Sequence, residues 1–406
     1  MMNNNDLINR TLSFIKEKRQ NIINGDINCI PSPWNCFSDD FPGIQQGKYY
    51  LVSSQQKGAK TQLTSFLFIF NPILYAYEHS EQVSVKIFYY PLEETQEKIT
   101  LRFMSYLLYT MSNFTIQLST EELSSVREAL DSRIIELLES EEYKKKLEFF
   151  QSCVEFREAS NPTGCYKDLR KYAEANGKIH KKTLTYPDKV TGEIISQEVF
   201  DYYEPYNPKE YVIIIYDHLS LISQEKGMDL RQSMAKLSEY MVYLRNTYNY
   251  IPVVIQQQSY ETQSLDAFKS NKIRPNVAGL SDCRYTSRDC DVMLGLSNPY
   301  AFELPEYLGY DIKKLKGNAR FLEIVLNRSG ISNGMLPLYF NGKCCYFTPL
   351  PSHKNEAAMQ KVYELIDKQY NKNKPTILAI LRSKNFKKLK KKKHVQNSRI
   401  SQKWLR

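Results

Sequence analysis

A chain of 406 residues with 42% apolar and 25% charged residues is globular in composition and long enough for one large domain or two ordinary ones. Its net charge of +10 comes from its end: residues 382–406 carry eleven Lys/Arg and no Asp/Glu, leaving 44 basic and 45 acidic residues elsewhere, which excludes a uniformly basic nucleic-acid-coating body. Eight cysteines without a C-x-x-C pair and five scattered histidines exclude a disulfide scaffold and a zinc module, and a polar N-terminus without signal-peptide features predicts a cytoplasmic protein, in the host cytoplasm if viral.

Residues 6–24 predict an amphipathic helix, with Leu7, Ile8, Leu12, Ile15 and Ile22 on one apolar stripe. It precedes a proline-containing loop, 25–43, so it packs either on a neighbouring copy or on its own core. The pattern fits both. The run 48–52 then reads as a strand, and 63–77 as a buried helix kinked at Asn71-Pro72, too short to span a bilayer.

Between them lies Ser54-Gln55-Gln56-Lys57-Gly58-Ala59-Lys60-Thr61. Strand, tight turn and helix is the setting of a phosphate-binding loop, whose pattern is G-x-x-x-x-G-K-[ST]. Lys60 and Thr61 occupy the pattern's last two positions, where a lysine reaches the terminal phosphates and a hydroxyl binds Mg²⁺. Both glycines are replaced, by Ser54 and Ala59, and Gly58 is one place early. Backbone N–H groups at the helix start can still cradle an anion. The octet also fits a basic turn that merely begins a helix.

Residues 83–90 predict a buried strand ending in Pro91-Leu92-Glu93-Glu94-Thr95, with a helix following through Leu108. An acid there lies at the ligand edge of an α/β sheet, or simply starts the helix. Residues 120–176 read as helical, with one long helix starting at Ser119, a break at 161–164 and a further helix over 166–175. A hairpin is expected over 182–203, turning at 187–193. The run 211–217 is the strongest strand signal, apolar throughout and so buried on both faces. It delivers Asp217 at its carboxyl end, either to support Mg²⁺ or to cap the next helix. A helix over 230–248 leads to strand 251–255 and Gln256-Gln257-Gln258. Strands at 291–296 and 321–326 and a hairpin turning at Asn341-Gly342 complete the pattern. One or two helices over 354–381 precede the basic tail, 382–406, which is expected to be disordered and either to neutralise nucleic-acid phosphates or to serve solubility. Alternating strands and helices predict an α/β, doubly wound, mostly parallel sheet with flanking helices.

In order along 8–347, these segments resemble the RecA-like motor domain of DnaB-type replicative helicases. Residues 25–32 and 42–47 look like that family's linker and approach to the first strand, and Lys60-Thr61 falls at its phosphate loop. Glu93 matches the glutamate that activates the attacking water, and Asp217 to Leu221 resembles the Walker B segment. Gln258 matches the residue that senses the γ-phosphate. Residues 280–284 resemble the loop that holds single-stranded DNA, and 326–330 the segment bearing a trans-acting arginine, Arg328. The resemblance implies an N-terminal linker helix over 1–40, a RecA-like ATPase domain over 41–350 with an insertion at 120–205 and a C-terminal hairpin, and then C-terminal helices over 351–381.

It further implies ATP and Mg²⁺ as cofactors, held by Ser54, Gly58, Ala59, Lys60, Thr61 and Asp217, with Thr61 and Asp217 nearest the metal. Glu93, Gln258 and Arg328 are the expected catalytic set, and Lys269, Lys272, Arg274 and Arg284 the expected DNA contacts. The implied partners are single-stranded DNA, further copies of the chain in a ring, expected to be a hexamer, and a primase or loader. The implied function is an ATP-dependent ring helicase, against two rivals: a catalytically weak nucleotide-binding or loader ring, and a RecA-class strand-exchange ATPase. Departures from the family pattern include the lost glycines, Leu326 in place of a lysine, a DNA-loop segment shortened by about two residues, and a longer stretch between Glu93 and Asp217. Such divergence suits a phage origin.

Overall fold

The structure is a computed structural model that describes residues 4–187, 191–259, 274–281, 283–330 and 332–372. Nine strands form its main sheet: β1 (Tyr50–Ser54), β2 (Ser84–Pro91), β3 (Val154–Phe156), β4 (Glu210–Asp217), β5 (Ile251–Gln257), β6 (Val292–Ser297), β7 (Ala319–Asn327), β8 (Met335–Asn341) and β9 (Tyr346–Pro349). Their order is β9-β8-β7-β6-β1-β5-β4-β2-β3. The six strands from β6 to β3 in that order are parallel, and β7, β8 and β9 extend the sheet antiparallel. This is the expected mostly parallel, doubly wound architecture. From β1 the chain moves to β2 on one side and later returns to β6 on the other. The crevice at the carboxyl end of β1 is therefore the topological switch point, where such sheets bind ligands.

Strand alternation divides the core between the two faces. On one face Tyr50, Val52, Ile87, Ile213, Ile215 and Val253 lie in a cluster with Leu63, Phe66, Phe70, Phe103 and Tyr106. On the other, Leu51, Phe88, Ile214, Tyr216 and Val254 meet Leu169, Met234, Leu237 and Met241. The covering helices are α1 (Asn4–Asn24), which leads in, α2 (Lys60–Ser65), α3 (Asn71–Glu78), α4 (Gln96–Met111), α5 (Glu141–Cys153), α6 (Pro162–Ala175) and α7 (Leu230–Tyr248). A π-helical stretch, Phe66–Phe70, joins α2 to α3 in one continuous run. The expected kink takes this form, with the Asn71 side-chain amide donating to the Phe66 carbonyl at 2.5 Å.

Three local expectations are corrected. The long helix from 120 is broken into Thr120–Leu123, Ser132–Glu139 and α5, because the Ser119, Asp131 and Ser140 side chains each cap a new N-terminus. Strand β3 went unread, since three residues are too few to show alternation. The last hairpin does not turn on Asn341-Gly342 alone: Asn341 pairs with Tyr346 across a four-residue loop, with Cys345 at φ 52°. The insertion hairpin is present and longer than expected, pairing Gly177–Pro187 with Ile194–Pro205.

The chain divides into two compact units. The second comprises residues 305–316 and the described residues from 351 onward. It holds a two-stranded ladder of Glu306–Tyr307 with Tyr310–Asp311, and α8 (Glu356–Lys372), of which Met359 and Ile366 are buried. The expected helix beyond 372 and the basic tail lie outside the described residues, as do Lys269 and Lys272. No helix among the described residues is long and apolar enough to cross a membrane.

Candidate nucleotide site

Strand β1 is buried between β6 and β5 and ends at Ser54, whose hydroxyl donates to the Leu296 carbonyl at 2.7 Å. The chain then turns through Gln55–Ala59, with Gly58 N–H donating to the Gln55 carbonyl at 3.1 Å. Gly58 is required by space. A Cβ there would lie 1.7 Å from Ser54 Oγ, so the serine fills the room that the glycine leaves. Ala59 directly precedes α2 in the left-handed region at φ 76°, ψ 32°, which costs an L-residue on the order of 1 kcal/mol. Lys60 and Thr61 are the first two residues of the helical run, where N–H groups lack intrahelical acceptors.

Asp217 closes β4 on the same face. It is 1% exposed, accepts the Thr61 hydroxyl on Oδ1 at 3.2 Å and accepts the Tyr89 hydroxyl on Oδ2 at 2.8 Å. Burial pushes its pKa up to about 6. Glu93 and Glu94 raise it as well, while the Tyr89 hydrogen bond and the Lys60 charge lower it. Leu92 N–H donates to the Asp217 carbonyl at 2.8 Å, which ties the ends of β2 and β4 together and sets Glu93 beside the aspartate. The two glutamates differ in availability. Glu94 is gripped by Arg102 through both oxygens at 2.7 Å, whereas Glu93 is 46% exposed with Oε2 3.8 Å from His218 Nε2.

A hydroxyl and a buried carboxylate 3.2 Å apart form a hard-oxygen pair beside a helix N-terminus. That suits Mg²⁺, which binds through one or two protein groups, phosphates and water. Among the described residues no cluster of three His, Cys, Asp or Glu side chains could hold a metal alone. The residues therefore fit a metal–triphosphate better than a free ion.

Gln258, just past β5, is buried. Its backbone N–H donates to the Ser54 carbonyl at 2.9 Å, and its amide to Ser53 Oγ at 2.8 Å and the Asn276 carbonyl at 3.2 Å. It thus joins the phosphate-loop strand to the segment leaving 260–273. By alternation Gln257, which pairs with Ser54, lies on the face of the loop. Gln256 secures the same region: its amide donates to the Ser281 carbonyl at 2.5 Å and the Cys283 carbonyl at 2.7 Å, and its oxygen accepts from the Thr286 hydroxyl at 2.6 Å. Sequence reading missed Gln256, although the glutamine triplet marked the place.

Arg274 closes both arms of its fork on the Glu323 carboxylate, one at 2.9 Å and the other closer. In this arrangement it anchors the segment to β7 rather than offering an unengaged cation. Arg284 is exposed at the start of the helix Tyr285–Asp289.

Arg328 follows β7 and is exposed, its N–H donating to the Asp291 carbonyl at 2.9 Å. Asn327 pairs with Val292 and Ser54 with Leu296, so Arg328 emerges at the opposite edge of the sheet from the loop. At about 3.3 Å per residue the separation is roughly 15 Å or more, beyond the reach of its own site.

The sheet order, the switch-point loop and the acid at the end of β4 together define a RecA-like ATPase-domain fold. No family model and no curated protein matches the chain. Among solved structures it is similar to the ATPase domain of a phage helicase, with 13% identity, a TM-score of 0.56, and coverage of 85% of this chain and 99% of that one. It is also similar to a structure of a DnaB-like replicative helicase and its interactions with primase, with 14% identity, a TM-score of 0.55, and coverage of 84% of this chain and 66% of that one. The fold is the DnaB type in a divergent sequence.

Proposed function

We propose that the protein is an ATP-dependent replicative DNA helicase that works as a ring of identical copies, expected to be a hexamer, on single-stranded DNA. The carrying observation is the division of the site across the sheet. Thr61, Asp217 and Glu93 gather at one edge, and Arg328 stands exposed at the other.

In this reading, the amides of the loop and Lys60 bind the phosphates, and Thr61 and Asp217 hold Mg²⁺. The bound metal supplies charge neutralisation across the β- and γ-phosphates. Glu93 orients the attacking water and takes its proton. Arg328 stabilises the transferring phosphoryl group in the neighbouring copy. Gln258 carries the state of the loop to the 260–284 region, where Lys269, Lys272 and Arg284 meet DNA phosphates and Arg274 anchors the segment.

The solvent-facing stripe of α1, with Ile8, Leu12, Ile15 and Ile22 all about half exposed or more, suits packing on a neighbour. Replication in the cytoplasm of a host, with a primase or loader, completes the reading.

The test is DNA-stimulated ATPase of Arg328→Ala. A loss of about 10³-fold with nucleotide binding retained supports a trans arginine. Near-normal turnover removes the ring mechanism.

A second reading, a ring that holds nucleotide with little turnover, is favoured by one observation: Ala59 at positive φ where the pattern has glycine. The same assay on the unmodified protein, with and without DNA, separates the two.

A further inference from the structure

Two side chains outside the loop grip its backbone. Arg320, near the start of β7, is 5% exposed and lies 4.6 Å from the Phe340 ring centroid. Its Nε donates to the Gly58 carbonyl at 3.0 Å, and Nη1 to the carbonyls of Gly317 at 2.9 Å and Ala319 at 2.7 Å. Asn298, just past β6 and also buried, donates its side-chain amide to the Lys57 carbonyl at 3.3 Å. Two successive loop carbonyls are thus drawn toward neighbouring strands.

A trans peptide points its C=O and N–H in opposite directions. Holding the Gly58 carbonyl on Arg320 therefore aims the Ala59 N–H away from that contact, toward the open side of the turn. The Gly58 N–H is already committed to the Gln55 carbonyl. The following residue is an alanine held at φ 76°, a conformation that glycine adopts freely and alanine resists.

We propose that Arg320, assisted by Asn298, is a positioning residue for nucleotide binding: it clamps a glycine-poor phosphate loop in the amide-inward conformation that glycines would otherwise permit. The inference rests on the reading of this loop as a nucleotide site. The guanidinium acts through the Gly58 carbonyl and touches no substrate. It lies on the strand that ends at Arg328, but at the other end, so the two arginines have separate tasks.

The test is a double-mutant cycle between Arg320→Met and Ala59→Gly. It reads the Kd of a fluorescent ATP analogue with Mg²⁺, the Tm without nucleotide and the Tm shift produced by Mg²⁺–ATP. The unmodified protein is measured first, and failure to bind the analogue there overturns the nucleotide reading and this inference with it. If it binds, Arg320→Met is expected to weaken affinity at least tenfold and abolish the ATP-induced Tm shift. Ala59→Gly in that background is expected to restore most of the affinity, because glycine holds the left-handed conformation without a clamp.

Affinity within twofold of the unmodified protein in Arg320→Met overturns the inference. So does an additive cycle, because a merely structural loss would follow the nucleotide-free Tm and would not be reversed at position 59. If Arg320→Met shows no cooperative unfolding, Asn298→Ala takes its place, with an expected loss of about threefold that Ala59→Gly reverses. An unchanged Kd there, or no reversal, overturns the proposal.

Discussion

Asp217 accepts the Thr61 hydroxyl at 3.2 Å while 1% exposed, so the expected metal-supporting carboxylate is sealed among protein groups. Its pKa is pushed up to about 6 by burial, with Glu93 and Glu94 adding to the rise. A raised pKa means that the folded state holds this proton more tightly than the unfolded chain does. The stabilisation is complete below the unfolded value near 3.8 and is lost as pH rises through about 6. The nucleotide-free protein should therefore be less stable at pH 7 than at pH 5 by about 1 kcal/mol from this group. Asp217→Asn should flatten that difference. Urea unfolding at the two pH values checks it, and an equal fall in the variant would assign the effect elsewhere.

Glu93 and Glu94 are neighbours with different partners, and their amide variants should separate. Glu93→Gln removes the group placed to take a proton from water, so turnover should fall about 10²–10³-fold while nucleotide binding persists. Glu94→Gln instead breaks the two-oxygen grip on Arg102. Stability should drop by about 2 kcal/mol, less than for a fully buried pair because Glu94 is a quarter exposed. Steady-state ATPase and thermal unfolding of both variants test the division. Reversed phenotypes would exchange the roles.

The glutamines at the end of β5 suggest a second contrast. Gln256→Leu strips donors from the Ser281 and Cys283 carbonyls and the acceptor from the Thr286 hydroxyl. Leaving such buried groups unsatisfied costs about 1–3 kcal/mol. The loss should be local: hydrogen exchange should quicken over 281–286 and leave β1 protected. Stimulation of ATPase by single-stranded DNA should weaken in step. Unchanged exchange at 281–286 would show that the segment is held by other contacts.

Strands β4 and β5 and helix α7 were legible because each is uniformly apolar, regularly periodic or clearly capped. Asp229 even forms the capping box with Gln232 that starts α7. Asp217 could be found by its place at a strand end, and the strain at Ala59 follows from its lost glycine. Arg320 had no local signature. Its partners are main-chain carbonyls at 58, 317 and 319, and contact with the first depends on β7 lying two strands from β1. The Arg274–Glu323 pair was hidden for the same reason: composition offers a cation, but only the fold supplies its acid. Likewise Ser140 reads as one polar residue in a helical run until its hydroxyl accepts from Tyr143 N–H and starts a new helix.

Helix α1 offers the test of assembly that is most independent of the nucleotide site. Ile8 and Ile15 are each 56% exposed, Leu12 is 48% exposed and Ile22 is 62% exposed, at spacings that share a helix face. If this stripe packs on the next copy, removing it from water favours association at roughly 25 cal/mol per Å². Ile15→Glu with Ile22→Glu should then shift the protein from a ring to monomers at micromolar concentration. Because these side chains are solvent-facing within one chain, the monomer's Tm should change little. Mass photometry with Mg²⁺–ATP reads the assembly, and circular dichroism reads the fold. ATPase should fall together with ring formation, since Arg328 then has no neighbouring site to complete. Intact rings in the double variant would move the interface away from α1, and active monomers would remove the trans role of Arg328.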